Sequence, residues 1–223
     1  TINLSHNFKL KHKMKKLLLV AGIALFGFNA NAQEDIKPVA GNVTTEIAVQ
    51  GLINNMSFNI QDQAFGNGAM FKARYFKTEN LAYRALVFAN IQSETTKATP
   101  DDLKENTFGL GVGFGVEKHF TGTDRLSPYV GVDGILGFDS SKATQGSNET
   151  KGPNTFRIGV RGVFGADYYV AKKLYLGVEG GLGLFYKSTG KTEVNGTTTS
   201  EGGSSFSFSP SLVGGVRVGF VLF

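Results

Sequence analysis

Residues 107–117 read Thr-Phe-Gly-Leu-Gly-Val-Gly-Phe-Gly-Val-Glu, and every second one is bulky and apolar: Phe108, Leu110, Val112, Phe114 and Val116. Glycine, threonine or glutamate fills the places between them. A period of two puts each set on its own face of a β-strand. A helix would scatter the apolar side chains around its circumference, and each interior glycine would cost it about 1 kcal/mol. The stretch therefore has one oily face and one face of small or charged groups. A fold that holds it must give those faces different surroundings.

The alternation recurs along the chain. Eight segments carry it, at about 44–54, 68–77, 81–93, 106–120, 127–140, 154–170, 174–188 and 205–223. The oily face includes Phe108, Leu110, Val112, Phe114, Val116, Val130, Val132, Ile158, Val160, Leu176, Val178 and Leu182. The links alternate in length. Long polar loops are expected at 54–67, 94–106, 141–153 and 189–204, and short turns near 78–80, 121–124 and 171–173. Four long loops on one side and three short turns on the other describe an up-and-down arrangement with both termini on the short-turn side. Aromatics collect near strand ends. Tyr75, Phe76, Tyr83, Phe120, Tyr129, Tyr168, Tyr169, Tyr175, Phe220 and Phe223 lie toward the short turns, and Phe58, Phe71, Phe108, Phe138, Phe156, Phe185, Tyr186, Phe206 and Phe208 toward the long loops. Two such girdles around an apolar band fit two membrane interfaces.

Charge and targeting agree with an exported protein. Of 23 Lys and Arg, five lie in residues 1–32, which hold no acid; the remainder balances the 18 Asp and Glu. No basic surface is left to argue for nucleic acid. Met14-Lys-Lys, the apolar run Leu17–Phe28 and the small-x-small site Ala30-Asn-Ala32 are the three parts of a secretory signal peptide at 14–32. Residues 1–13 are read as a misassigned upstream extension, 33–43 as a polar lead and 44–223 as the barrel. Cysteine is absent, which excludes a disulfide framework. No later stretch reaches the ~18 continuous apolar residues of a membrane helix, so a membrane could be crossed only by a closed barrel.

These features resemble the small eight-stranded outer-membrane barrels: the transmembrane domain of outer membrane protein A and its outer membrane protein X-like relatives. The resemblance spans 44–223 and ends on a strand closing with Phe223. In the family's last strand the apolar residues alternate in step with that final Phe. Here Val216, Val218 and Phe220 are out of step with it and Arg217 is in step, so a bulge or changed frame is expected near the end. The fold class implied is all-β: an eight-stranded antiparallel up-and-down transmembrane β-barrel in the bacterial outer membrane. Its partners would be outer-membrane lipid and lipopolysaccharide, with the four long loops open to an extracellular ligand and the chain a monomer.

The second face carries Glu46, Gln50, Lys72, Arg74, Arg84, Asn90, Glu117, Asp133, Arg157, Arg161, Asp167, Glu179 and Arg217. An eight-stranded barrel has an interior just wide enough for side chains to fill. An unpaired charge there is costly, so these groups are expected to pair in a network that plugs the lumen. A turn at 78–80 sets Arg74 opposite Arg84, and like charges directly opposite repel. Their carboxylates must come from the flanking strands, from Glu46 and Glu117.

No catalytic, cofactor or metal residue is assigned. His119 is the one histidine after residue 32 and reads as a strand-end interface residue without a positioned Ser or Asp. Gly190-Lys-Thr192 lacks the glycine of a phosphate loop, since Phe185 stands five residues before Gly190. Asp101, Asp102 and Glu105 are spaced as a solvated turn rather than a calcium loop. Asn148-Glu-Thr150 and Asn195-Gly-Thr197 match the glycosylation acceptor pattern, which means little in a bacterium.

Four functional readings follow. The first is a structural or surface-interaction barrel with a closed lumen. The others are a narrow porin-like channel, a barrel enzyme acting on lipid or peptide, and a soluble lipocalin-like carrier. The last would place Phe108, Leu110 and Val112 inside and leave an outer surface of glycine with sparse charges, which is poor for solubility.

Overall fold

The computed structural model describes residues 36–48 and 69–222. The expected signal peptide 14–32, the extension 1–13, the loop 54–67 and Phe223 lie outside them. Eleven strands follow in order: β1 (Val43–Ala48), β2 (Ala69–Thr78), β3 (Leu81–Thr96), β4 (Leu103–His119), β5 (Leu126–Gln145), β6 (Asn148–Lys151), β7 (Thr155–Ala171), β8 (Leu174–Thr189), β9 (Thr192–Val194), β10 (Thr197–Ser200) and β11 (Gly203–Val221). All pairings are antiparallel. Eight of the strands close a ring in the order β1, β2, β3, β4, β5, β7, β8, β11 and back to β1.

The stagger of that ring can be read from its ladder. From Leu176 the paired residues are Val218, Ile47, Phe71, Val87, Val112, Leu136, Ile158 and then Tyr186. One circuit therefore returns to β8 ten residues further along. A stagger of that kind tilts the strands by roughly 35–45° to the barrel axis and leaves an interior that side chains can fill.

Burial is the inverse of a soluble protein's. The largest fully buried side chains begin with Arg74, Arg84, Arg161 and Arg217, none more than 2% exposed. Phe114 is 69% exposed and Val160 55%. Ordinary folds seldom bury arginine completely and leave apolar patches of this extent covered. Here the alternation points the charges to the axis and the oily residues outward.

Glycines make room on the inner face. The Phe185 ring lies across Gly159 and Gly183, and the Tyr175 ring lies across Gly219. A Cβ on Gly219 would sit within the Tyr175 ring. Gly219→Ala is expected to destabilise the barrel by about 1–3 kcal/mol, the usual range for overpacking. Urea-dependent folding into lipid vesicles measures it, and Tyr175→Leu in the same chain should recover part of the loss.

Three corrections concern the links and the girdles. The segments read as loops at 94–106, 141–153 and 189–204 are mostly strand. β3 and β4 stay paired out to Thr96↔Leu103, β5 runs to Gln145 and pairs β6, and β6 pairs β9. Apolar alternation stops there while backbone pairing continues, so a hydropathy period ends the strands too early. The Asn195-Gly196 turn has positive φ at both residues (51° and 80°), as a type I′ hairpin requires. That dipeptide is a stronger hairpin signal than a glycosylation signal. In the girdles, Phe76, Tyr129, Tyr169, Tyr175 and Phe185 point inward and are buried, whereas Tyr75, Tyr83, Phe120, Tyr168, Phe108, Phe138 and Phe156 face out.

The irregularity expected at the last strand lies upstream of its end. β11 shifts register against β8 between Val213 and Arg217, four residues on β11 spanning two on β8 from Glu179 to Gly177. The described part of the lead is not a free tail. Pro38 is buried, Ile36 packs on Tyr169, Tyr175 and Val221, and Gly41 N donates to Phe76 O at 2.8 Å.

Candidate functional site

The barrel interior has three levels. The short-turn half holds the charges. Among the described residues, the buried acids are Glu46, Glu117, Asp133, Asp167 and Glu179, and the buried bases Lys72, Arg74, Arg84, Arg161 and Arg217. Five face five, so the interior can be neutral with every group ionised.

Register explains which strand supplies each group. Glu46 pairs Lys72 across β1–β2, Arg74 pairs Arg84 across β2–β3, and Asp133 pairs Arg161 across β5–β7. Arg74 Nη1 donates to Glu117 Oε2 at 3.1 Å and to Asp167 Oδ2 at 2.6 Å, and its Nη2 lies 3.9 Å from Glu46. Arg84 Nη1 donates to Glu117 Oε1 at 2.6 Å, and Arg84 Nε lies 2.9 Å from Asp133 Oδ1. The opposed arginines thus share Glu117. Glu46 is within salt-bridge distance of Arg74 alone of the two, and it takes Lys72 at 2.6 Å and Arg217 at 2.5 Å.

Glu179 is the hub. Its carboxylate accepts from Arg84 Nη1 and Nη2 at 3.0 and 2.9 Å, Lys72 Nζ at 3.2 Å, Tyr129 OH at 2.6 Å and Arg217 Nη1 at 3.4 Å. Arg161 holds Asp133 through Nε and Nη2 at 3.3 and 3.0 Å. The Arg74 guanidinium also stands over the rings of Tyr175, Phe76 and Tyr129 at 5.0, 5.6 and 5.9 Å. Such stacking suits a delocalised, weakly hydrated cation.

The second level is apolar. Met70, Leu86, Phe88, Ile135 and Phe185 form one buried cluster inside the ring. None was assigned to the lumen from sequence, although each is in phase with a buried charge: Met70 with Lys72, Leu86 and Phe88 with Arg84, Ile135 with Asp133, Phe185 with Glu179. Counting residues by phase instead of by chemistry would have found them.

The third level, toward the long hairpins, holds Arg157. The sequence pattern groups it with the other lumen charges, but it pairs with Asp139, which that pattern does not single out, and both are partly exposed. Phe88 and Ile135 lie between that pair and the network below in the same inward phase. Arg157 is therefore not part of the buried charge cluster.

His119 also needs correction. It is buried rather than at the lipid interface, and it has the partners that sequence could not supply. Its Nδ1 is 2.9 Å from Ser127 Oγ and its Nε2 3.2 Å from Glu117 Oε2. Phe76 and Tyr129 flank the ring at 5.2 Å each. Missed for the same reason were Tyr129, Tyr175 and Thr44, whose hydroxyls contact Glu179, Glu46 and Arg74.

The twelve apolar residues expected to face lipid all point away from the axis. Ten are well exposed, and Val112 and Val116 are half-buried between neighbouring strands. No cluster of three or more His, Cys, Asp or Glu among the described residues has the arrangement to hold a metal ion.

A closed ring of eight antiparallel strands with arginines inside and a girdled apolar exterior is a specific arrangement, and the family comparison agrees with it. Residues 97–196 match the model described as "Putative OmpA-OmpF-like porin family". The match runs from the tip of the β3–β4 hairpin to the β9–β10 turn, just under half of the chain. The search of curated proteins returned no match.

Proposed function

We propose that the chain is an integral outer-membrane β-barrel with a structural or surface-interaction role and a lumen closed to solutes. The observation that carries the reading is the inverted burial: four arginines fully inside a ring whose exterior is Val, Leu, Ile and Phe. Lipid is the medium in which that exterior is favourable and in which a closed sheet leaves no backbone group unpaired. Closure is supported by the two stacked layers, ionic and apolar, that occupy the axis.

A porin-like channel is the second reading, favoured by the family description. Planar-bilayer recordings separate the two. The folded protein is expected to give no steady conductance, and a large, long-lived open level would overturn the closed-lumen reading. Opening the apolar layer with Phe88→Ala and Phe185→Ala together should at most introduce brief, small events, because the charged layer below stays in place.

A catalytic role for His119 has little support from its surroundings. Ser127 and His119 are 7% and 3% exposed, and Glu117 is occupied by Arg74 and Arg84. A nucleophile needs access to substrate as well as a base. The burial of His119 and Ser127 supports a structural reading over a catalytic one.

A further inference from the structure

The two asparagines that match the glycosylation acceptor pattern, Asn148 and Asn195, meet in the fold. Asn148 opens β6, and Asn195 turns β9 into β10. The β9–β10 hairpin is fastened to the rest of the sheet by a short seam. Among the described residues, β10 pairs β9 alone, and β9 reaches the sheet through β6 at two positions, Thr150↔Val194 and Lys151↔Glu193. Asn195 closes the end of that seam. Its backbone N donates to Glu149 O at 2.8 Å. Its side-chain Oδ1 accepts from Glu149 N at 2.7 Å, and its Nδ2 donates to Asn148 Oδ1 at 3.0 Å. The orientation of the carboxamide follows from its partners: Glu149 N–H can only donate, so the oxygen faces it and the nitrogen is left for Asn148.

Asn195 also precedes a glycine. Both residues are exposed, and Gly196 has no atom within 4 Å of where a Cβ would stand. With no side chain on Gly196, its backbone nitrogen is open to the Asn195 carboxamide. In such a pair the glycine nitrogen attacks Asn Cγ. A C–N bond forms, the Cγ–Nδ2 bond breaks, and Nδ2 leaves as ammonia with the proton of the attacking amide. Water from the medium then opens the succinimide ring at either carbonyl, leaving aspartate or isoaspartate. The closed seam opposes the first step, because both polar atoms of the carboxamide are bonded to β6. Ring closure therefore waits until the seam opens.

We infer that Asn195 is a deamidation site guarded by the β6–β9 seam, and that its conversion unfastens the β9–β10 hairpin. Aspartate places an acceptor where Nδ2 donated, facing a second acceptor at Asn148 Oδ1. Isoaspartate lengthens the backbone by one carbon, which displaces the turn and the bond from residue 195 N to Glu149 O. Neither product restores all three hydrogen bonds, so the change is one-way. Before conversion β5–β6 and β9–β10 form one platform; after it they are two separate hairpins. The seam lies outside the eight-stranded ring, so its state does not depend on whether the lumen conducts.

The test holds the full chain, folded in a non-ionic detergent, in mildly alkaline buffer and follows residue 195 by peptide mass spectrometry. The same chain unfolded in urea is the reference. The folded chain is expected to convert about tenfold more slowly than the unfolded one, since conversion needs local opening. Asn148→Ala removes one hydrogen bond of the seam and should speed conversion about fivefold. Asn148→Asp keeps an acceptor oxygen for Nδ2 and should stay slow. Hydrogen exchange over 148–151 and 192–196 reads the consequence: the converted chain should exchange faster there and unchanged in β4. Heat-modifiable mobility establishes that each chain is folded. An unfolded chain that does not convert overturns the site. A folded chain that converts at the unfolded rate, or an Asn148→Ala chain no faster than the wild type, overturns the guard. Asn148→Asp converting as fast as Asn148→Ala overturns the part given to the Asn148 oxygen. Unchanged exchange in the converted chain overturns the unfastening.

Discussion

Replacing Glu179 with glutamine is expected to cost the folded barrel about 3–5 kcal/mol, the range for breaking a buried ion pair and stranding its partner. The volume is unchanged, so the loss is electrostatic. The buried groups go from five acids and five bases to four and five, and Lys72, Arg84 and Arg217 lose a common anion. Tyr129 OH loses a charged acceptor at the same time. Urea titration of folding into vesicles reads the change. Adding Lys72→Met to the same chain restores the balance at four and four, so the double variant is expected to be more stable than Glu179→Gln alone. A loss below about 1 kcal/mol for the single variant, against the usual cost of an orphaned buried charge, would mean that water reaches Glu179 and that the interior is not sealed.

The second large effect belongs to the opposite face. Val160→Arg is expected to destabilise the inserted barrel by about 2–4 kcal/mol, the cost of an arginine near the bilayer midplane. Val160 is 55% exposed and lies on β7 between the outward rings of Phe156 and Tyr168. In a soluble barrel the same substitution would put a charge into water and cost almost nothing. Equilibrium folding into vesicles measures the cost, and an unchanged midpoint would place that face in water.

Much of the barrel is legible in the chain as a string. Alternation assigns Phe108, Leu110 and Val112 to one face and Glu117 to the other, whatever the strand pairs with. The short turn at 78–80 forces Arg74 opposite Arg84, because a tight hairpin leaves one register. Charge chemistry then says which face lies inside, since Arg161 cannot be left in lipid.

Other features escaped for definite reasons. Phe76, Tyr129, Tyr169, Tyr175 and Phe185 were placed at the girdles because aromatics near strand ends suit interfaces. Their phase already put them inside, and composition outweighed phase. β6, β9 and β10 read as loops in the sequence because their residues are mostly Thr, Ser, Lys, Glu and Asn. Outside the lipid zone a strand needs no oily face, so hydropathy is silent and only turn residues such as Asn195-Gly196 speak.

The chain alone determined that it forms strands, how many close the ring, and which side chains share a face, because a period of two is a local property of extended backbone. Which charges meet was decided only in three dimensions. Glu179 on β8 reaches Lys72 on β2 and Arg84 on β3, strands that never pair with β8. Closure with a ten-residue stagger brings those strands face to face across a lumen one or two side chains wide. No local pattern encodes that distance.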